Sequence, residues 1–78
     1  MEVVRDVNAT IEGLRPYLIH AEPYVVVYYS VEGDPDTIVQ TQLSADALPG
    51  GIKVGDRVTI HIVMGVVAGV TAAGAAQP

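Results

Sequence analysis

The chain has 78 residues, no cysteine, and nine acidic against four basic side chains for a formal net charge of −5. That length supports one small domain, hiding roughly 60–65% of the unfolded surface, and the missing cysteines exclude a disulfide framework and a thiolate metal site. Arg5, Arg15, Lys53 and Arg57 are too few and too scattered for the positive footprint that duplex nucleic acid or an anionic membrane surface demands.

Half the residues are hydrophobic, yet the aromatics are four Tyr with neither Phe nor Trp, so the core must be aliphatic. Valine at this density favours strands. The opening segment Met1–Asp6 has neither the basic leader nor the apolar run of a secretory signal, which makes the cytoplasm the expected compartment.

The first strand is expected over Val3–Leu14, with Ala9 and Ile11 facing inward, Val7 a further candidate, and Gly13 weakening its end. Pro16 and Pro23 bracket Arg15–Pro23, which reads as a long connecting loop with room for one short strand. Tyr24–Val31 is the clearest strand, a continuous β-branched and aromatic run. Glu32–Asp36 follows as a turn, because glycine tolerates positive φ, proline sets φ, and Asp side chains bond local backbone. Thr37–Leu43 then alternates Val39, Thr41 and Leu43 against Ile38, Gln40 and Gln42.

Ser44 can cap a short helical turn, and Leu48-Pro49-Gly50-Gly51 cannot continue it. Lys53–Asp56 reads as a turn into the strand Arg57–Val63, where Val58, Ile60 and Ile62 alternate with Arg57, Thr59 and His61. Met64-Gly65 permits a tight reversal into Val66–Thr71. The uncharged run from Val58 to Ala76 has the length of a membrane span, and Gly65 and Gly69 have a small-xxx-small spacing. Its two-residue alternation, its β-branched content and its lack of basic or aromatic flanks argue for strands instead. One domain is therefore expected over residues 1–71, with a small flexible tail over residues 72–78.

The expected fold class is all-β: a small five-stranded barrel with one short helical turn between strands three and four. This element order resembles the OB-fold. Over Thr37–Ile62, the residues Ser44, Ala45, Leu48, Ile52, Lys53, Gly55, Asp56 and Val58 resemble TOBE and molybdopterin-binding-type modules, which carry a Ser-Ala-x-x-Leu turn followed by Leu/Ile-Lys-x-Gly-Asp-x-Val. That resemblance implies a small-oxyanion reading in which Ser44 and Lys53 are the anion contacts. Such modules open with a Ser-Ala-Arg-Asn-like segment, and of Arg5-Asp6-Val7-Asn8 only Asn8 is similar. Read from the residues alone, Ser44 is an N-cap and Lys53 a solvated turn residue.

No catalytic constellation emerges. Ser30 and Ser44 lack a nucleophile-elbow context, Glu12, Glu22 and Glu32 are not paired in an apolar pocket, and a barrel this small has little room for a substrate. His20 and His61 do not have metal-ligand spacing, even with Glu22 added. Glu32, Asp34 and Asp36 begin like a calcium loop, but Pro35 interrupts it and the sixth-position glycine is missing. No cofactor is implied.

What remains is an aromatic face. With Val25, Val27, Tyr29 and Val31 inward, Tyr24, Tyr28 and Ser30 lie outward beside Ile38, Gln40 and Gln42. In OB-folds the face of strands two and three is the usual binding surface. Tyr24, Tyr28 and Ile38, edged by Gln40 and Gln42, are therefore the candidate binding face of a non-catalytic binding or assembly module. Its expected partner is a protein or a second copy; single-stranded nucleic acid and a small anion are the alternatives.

Overall fold

A computed structural model describes residues 3–72 as five strands and one 3₁₀ turn. β1 spans Val4–Ile19, β2 Glu22–Val31, β3 Asp34–Ser44, β4 Arg57–Val63 and β5 Val66–Ala72, with the 3₁₀ turn at Ala45–Ala47. All pairings are antiparallel, in the order β3-β2-β1-β4-β5. The 3₁₀ turn and the loop after it thus carry the chain from the β3 edge to the far side of β1. Hydrogen bonds do not close the sheet: β3 and β5 approach within 8 Å without forming a ladder.

β1 serves both halves of the sheet. Val4–Thr10 pair with β4 and Ala9–Ile19 with β2, so the two ladders overlap only at Ala9 and Thr10. A register shift between Ile11 and Gly13 bends the strand where it changes partners. Glycine fits there because a Cβ would lie 3.1 Å from Cδ1 of Tyr28, whose ring covers it across the strand. The Lys53–Asp56 turn continues the β4 side of the bend. Gly55 N–H donates to the Ile11 carbonyl at 2.8 Å, and Ile11 N–H donates to the Asp56 carbonyl at 2.9 Å.

The expected loop over Arg15–Pro23 is corrected by the structure. β1 runs on through Pro16 to Ile19, His20 and Ala21 alone make the turn, and β2 starts at Glu22. Both turn residues hold positive φ, 50° and 67°, which suits the twist of a two-residue hairpin. The prolines are tolerated because each sits where its strand is paired on one side only. Past Thr10, β1 has β2 as its sole ladder partner, and Pro23 precedes the first β2–β3 pair at Tyr24.

The other turns fall where the sequence places them. Glu32-Gly33 joins β2 to β3, although Asp34, Pro35 and Asp36 belong to β3 itself. Met64-Gly65 reverses the chain between β4 and β5 with φ of 53° and 82°. Ala72 ends β5, and the rest of the expected tail, residues 73–78, lies outside the described residues. Among the described residues no helix is long and apolar enough to cross a membrane, and the uncharged run as far as Ala72 forms β4 and β5.

Inward side chains from all five strands form one core of Ala9, Ile11, Val27, Tyr29, Leu43, Val58, Ile60 and Val70. Ile11, Val27, Val58 and Ile60 are completely buried. Each such side chain contributes about 1.5–3 kcal/mol through its removal from water. Burial also pushes the Tyr29 phenol above its usual pKa.

Candidate functional site

Beyond the register shift that follows Ile11, the residues of β1, β2 and β3 that miss the core share the opposite face. The β1–β2 register sets Gly13 opposite Tyr28, Arg15 opposite Val26 and Tyr17 opposite Tyr24. The β2–β3 register sets Tyr28 opposite Gln40 and Val26 opposite Gln42. Together these make a surface of Tyr17, Tyr24 and Tyr28, with Val26 between the tyrosines of β2 and the two glutamines on the β3 border. The three tyrosines and Val26 are half-buried, while Arg15, Gln40 and Gln42 are exposed. Ile38, 51% exposed, continues the β3 row.

Tyr17 and Tyr24 stack across the strands, with ring centroids 6.0 Å apart and planes inclined by 29°. This geometry is the offset arrangement that aromatic quadrupoles favour, and both residues keep part of their surface exposed. Arg15 is the one basic side chain on this face among the described residues. Arg57 belongs to the β4 side, Lys53 to a turn, and Arg5 to the β4-paired end of β1.

All five expected face residues, Tyr24, Tyr28, Ile38, Gln40 and Gln42, therefore lie on the outward side of β2 and β3. Tyr17, Arg15 and Val26 join them without having been singled out from the sequence. Tyr17 lies in the segment that its flanking prolines make look like a loop, and the β-forming triplet Tyr17-Leu18-Ile19 is the sequence signal for a strand there. Tyr28 has a structural duty as well, since its ring covers Gly13. Ser30 shares the outward parity but is 5% exposed, and its hydroxyl donates to Glu12 Oε2 at 2.6 Å.

The two candidate anion contacts have local partners. Ser44 caps the 3₁₀ turn by accepting from Asp46 N–H at 3.3 Å. Lys53 Nζ lies 3.3 Å from Asp56 Oδ1, and Asp56 Oδ2 accepts from Lys53 N–H at 3.0 Å. An open apolar recess of about 270 Å³ lies beside them, between Leu14, Pro16 and Val25 on one wall and Leu48, Pro49 and Ile52 on the other.

The outer face of β1, β4 and β5 has a different character. Glu32 accepts from Asn8 Nδ2 at 3.3 Å and faces Arg57 Nη2 at 3.6 Å, and Thr59 Oγ1 donates to Asn8 Oδ1 at 3.4 Å. His61 lies outward as its strand alternation requires, with Nδ1 2.8 Å from Asp6 Oδ1 and Nε2 3.0 Å from Thr71 Oγ1. His20 occupies the β1–β2 turn. Asp34 accepts from Thr37 Oγ1 at 3.1 Å within the start of β3. Among the described residues no three His, Cys, Asp or Glu side chains are grouped to hold a metal ion.

Comparison of the chain with family models, with curated proteins and with solved structures returned no match.

Proposed function

We propose that this chain is a non-catalytic binding module built as an OB-like β-barrel, and that it engages a protein through the outward tyrosine face of β1–β2–β3. The strand order and the close approach of β3 to β5 support the barrel reading, in which β1 bends to serve both halves of the sheet. The observation that carries the functional reading is the stacked Tyr17–Tyr24 pair standing beside Tyr28 and Val26 on an exposed surface. Tyrosines of this kind supply large, rigid contact area at little entropic cost, and hydroxyls at their tips for specificity.

Charge supports a protein over nucleic acid. A stacked aromatic pair would also suit an unpaired base, but a lone Arg15 gives a phosphodiester backbone little to hold in a chain of net charge −5. Oxyanion binding has less support, because Ser44 is engaged in capping and Lys53 in an ion pair with Asp56.

Amide chemical-shift mapping tests the proposal, using titrations with fractionated cell protein, mixed-sequence single-stranded oligonucleotides and molybdate. Shifts from a protein fraction that centre on Tyr17, Tyr24, Tyr28, Gln40 and Gln42, and vanish in Tyr24→Ala, are the expected result. Shifts centred on Ser44–Lys53 with molybdate, or salt-sensitive shifts with oligonucleotides alone, would overturn it.

A further inference from the structure

The β4–β5 face contains three side chains that stand far apart in sequence and meet in one line. Asp6 of β1, His61 of β4 and Thr71 of β5 are neighbours across adjacent strands, joined by contacts of 2.8 Å and 3.0 Å through the two ring nitrogens of His61. The Asp6 carboxylate fixes the role of Nδ1, and the neutral ring then sets that of Nε2. An ionised carboxylate can only accept, so Nδ1 must carry the ring proton that faces Asp6. In the neutral ring Nε2 is then the acceptor, and the Thr71 hydroxyl must donate to it.

This is the orienter, base and hydroxyl order of an acyl-transfer relay, recognised by geometry and not by chain order. From these contacts we propose that Thr71 is an activated hydroxyl and a site of covalent acylation. The donor class is an activated acyl compound, an aryl ester or an acyl thioester. Thr71 Oγ forms a bond to the acyl carbon as its proton passes to His61 Nε2. The bond from that carbon to the leaving oxygen or sulfur breaks, and the proton on His61 goes to the leaving group. Asp6 holds the ring in the required tautomer throughout and is a positioning residue.

The surroundings also define the limits of the reaction. Thr71 is exposed on a sheet surface, and neither the recess between Leu14 and Ile52 nor a second one between Ala9, Glu32 and Arg57 includes it or His61. Nothing there encloses a substrate, so the expected outcome is stoichiometric modification of Thr71 and not rapid turnover. The inference is independent of the tyrosine face, which lies on the other half of the sheet.

The test is incubation of the full chain with p-nitrophenyl acetate, followed by intact mass measurement and peptide mapping. One added acetyl group on Thr71 is expected. Thr71→Ser should retain the adduct and Thr71→Val should lose it, while His61→Gln should slow its formation by roughly 100-fold, the scale of a positioned general base. Asp6→Asn should slow it as well, and amide spectra of each variant establish that the sheet is intact. Acetylation confined to Lys53 or the terminal amine, or acetylation of Thr71 at an unchanged rate in a folded His61→Gln variant, would overturn the assignment.

Discussion

The two outward faces of this sheet rest on the same core but use their side chains in opposite ways. On the β4 side, Asp6, Asn8, Glu32, Arg57, Thr59, His61 and Thr71 are engaged mostly with one another, in hydrogen bonds and ion pairs that cross three strands. On the β2 side, Tyr17 and Tyr24 stack, Tyr28 covers Gly13, and these three and Val26 remain only half-buried. Polar groups satisfied within the sheet gain little from a partner, whereas half-buried aromatic surface gains by further burial. The contrast is the reason for proposing the tyrosine side as a docking surface and for seeking local chemistry on the polar side.

The largest expected perturbation is to the layer both faces share. Ile60→Ala empties a completely buried site, and a loss of about 2–5 kcal/mol in denaturant unfolding is expected. Amide shifts should then move on both outward faces together; movement of one alone would mean that the halves of the sheet do not share a core. A smaller effect separates the faces. A double-mutant cycle on Tyr17 and Tyr24 should return a coupling of about 0.5–1.5 kcal/mol, leaving the Asp6–His61 contact unchanged. A coupling near zero would show that the stack adds nothing beyond area.

The smallest effect is one of pH and concerns Tyr29, beneath the tyrosine face. Its phenol is raised in the folded state by burial, so above the ordinary tyrosine pKa of about 10 the unfolded chain releases a proton that the folded chain keeps. Stability should therefore be complete below that pH and decline as pH rises through the folded value. Tyr29→Phe should flatten this alkaline decline, and a steep decline that persists in the variant would assign it to other groups.

Several elements were legible from the residues alone, for local reasons. The alternation in Arg57–Val63 matches β4 end to end, Met64-Gly65 makes the expected reversal, and the turn expected over Glu32–Asp36 is shorter, because β3 already begins at Asp34. Ser44 is a cap, as its position before a short helical turn implied. Arg15–Pro23 misled because proline reports a missing donor without saying whether a neighbouring strand needs it. That depends on β4 leaving β1 after Thr10 and on β3 starting to pair only at Tyr24.

By itself the sequence determined an all-β chain of five strands, an aliphatic core, and Tyr24 and Tyr28 on one outward face with Gln40 and Gln42, because two-residue alternation and turn chemistry act over a few residues at a time. Only the tertiary structure decided that Tyr17 stacks on Tyr24 and that Asp6, His61 and Thr71 meet in one line. His61 lies 55 residues from Asp6 and 10 from Thr71, and their meeting is set by the register of β1, β4 and β5. The two-residue Met64-Gly65 turn sets the β4–β5 register, but the β1–β4 register that brings Asp6 to His61 follows from the burial of a whole face across strands distant in sequence.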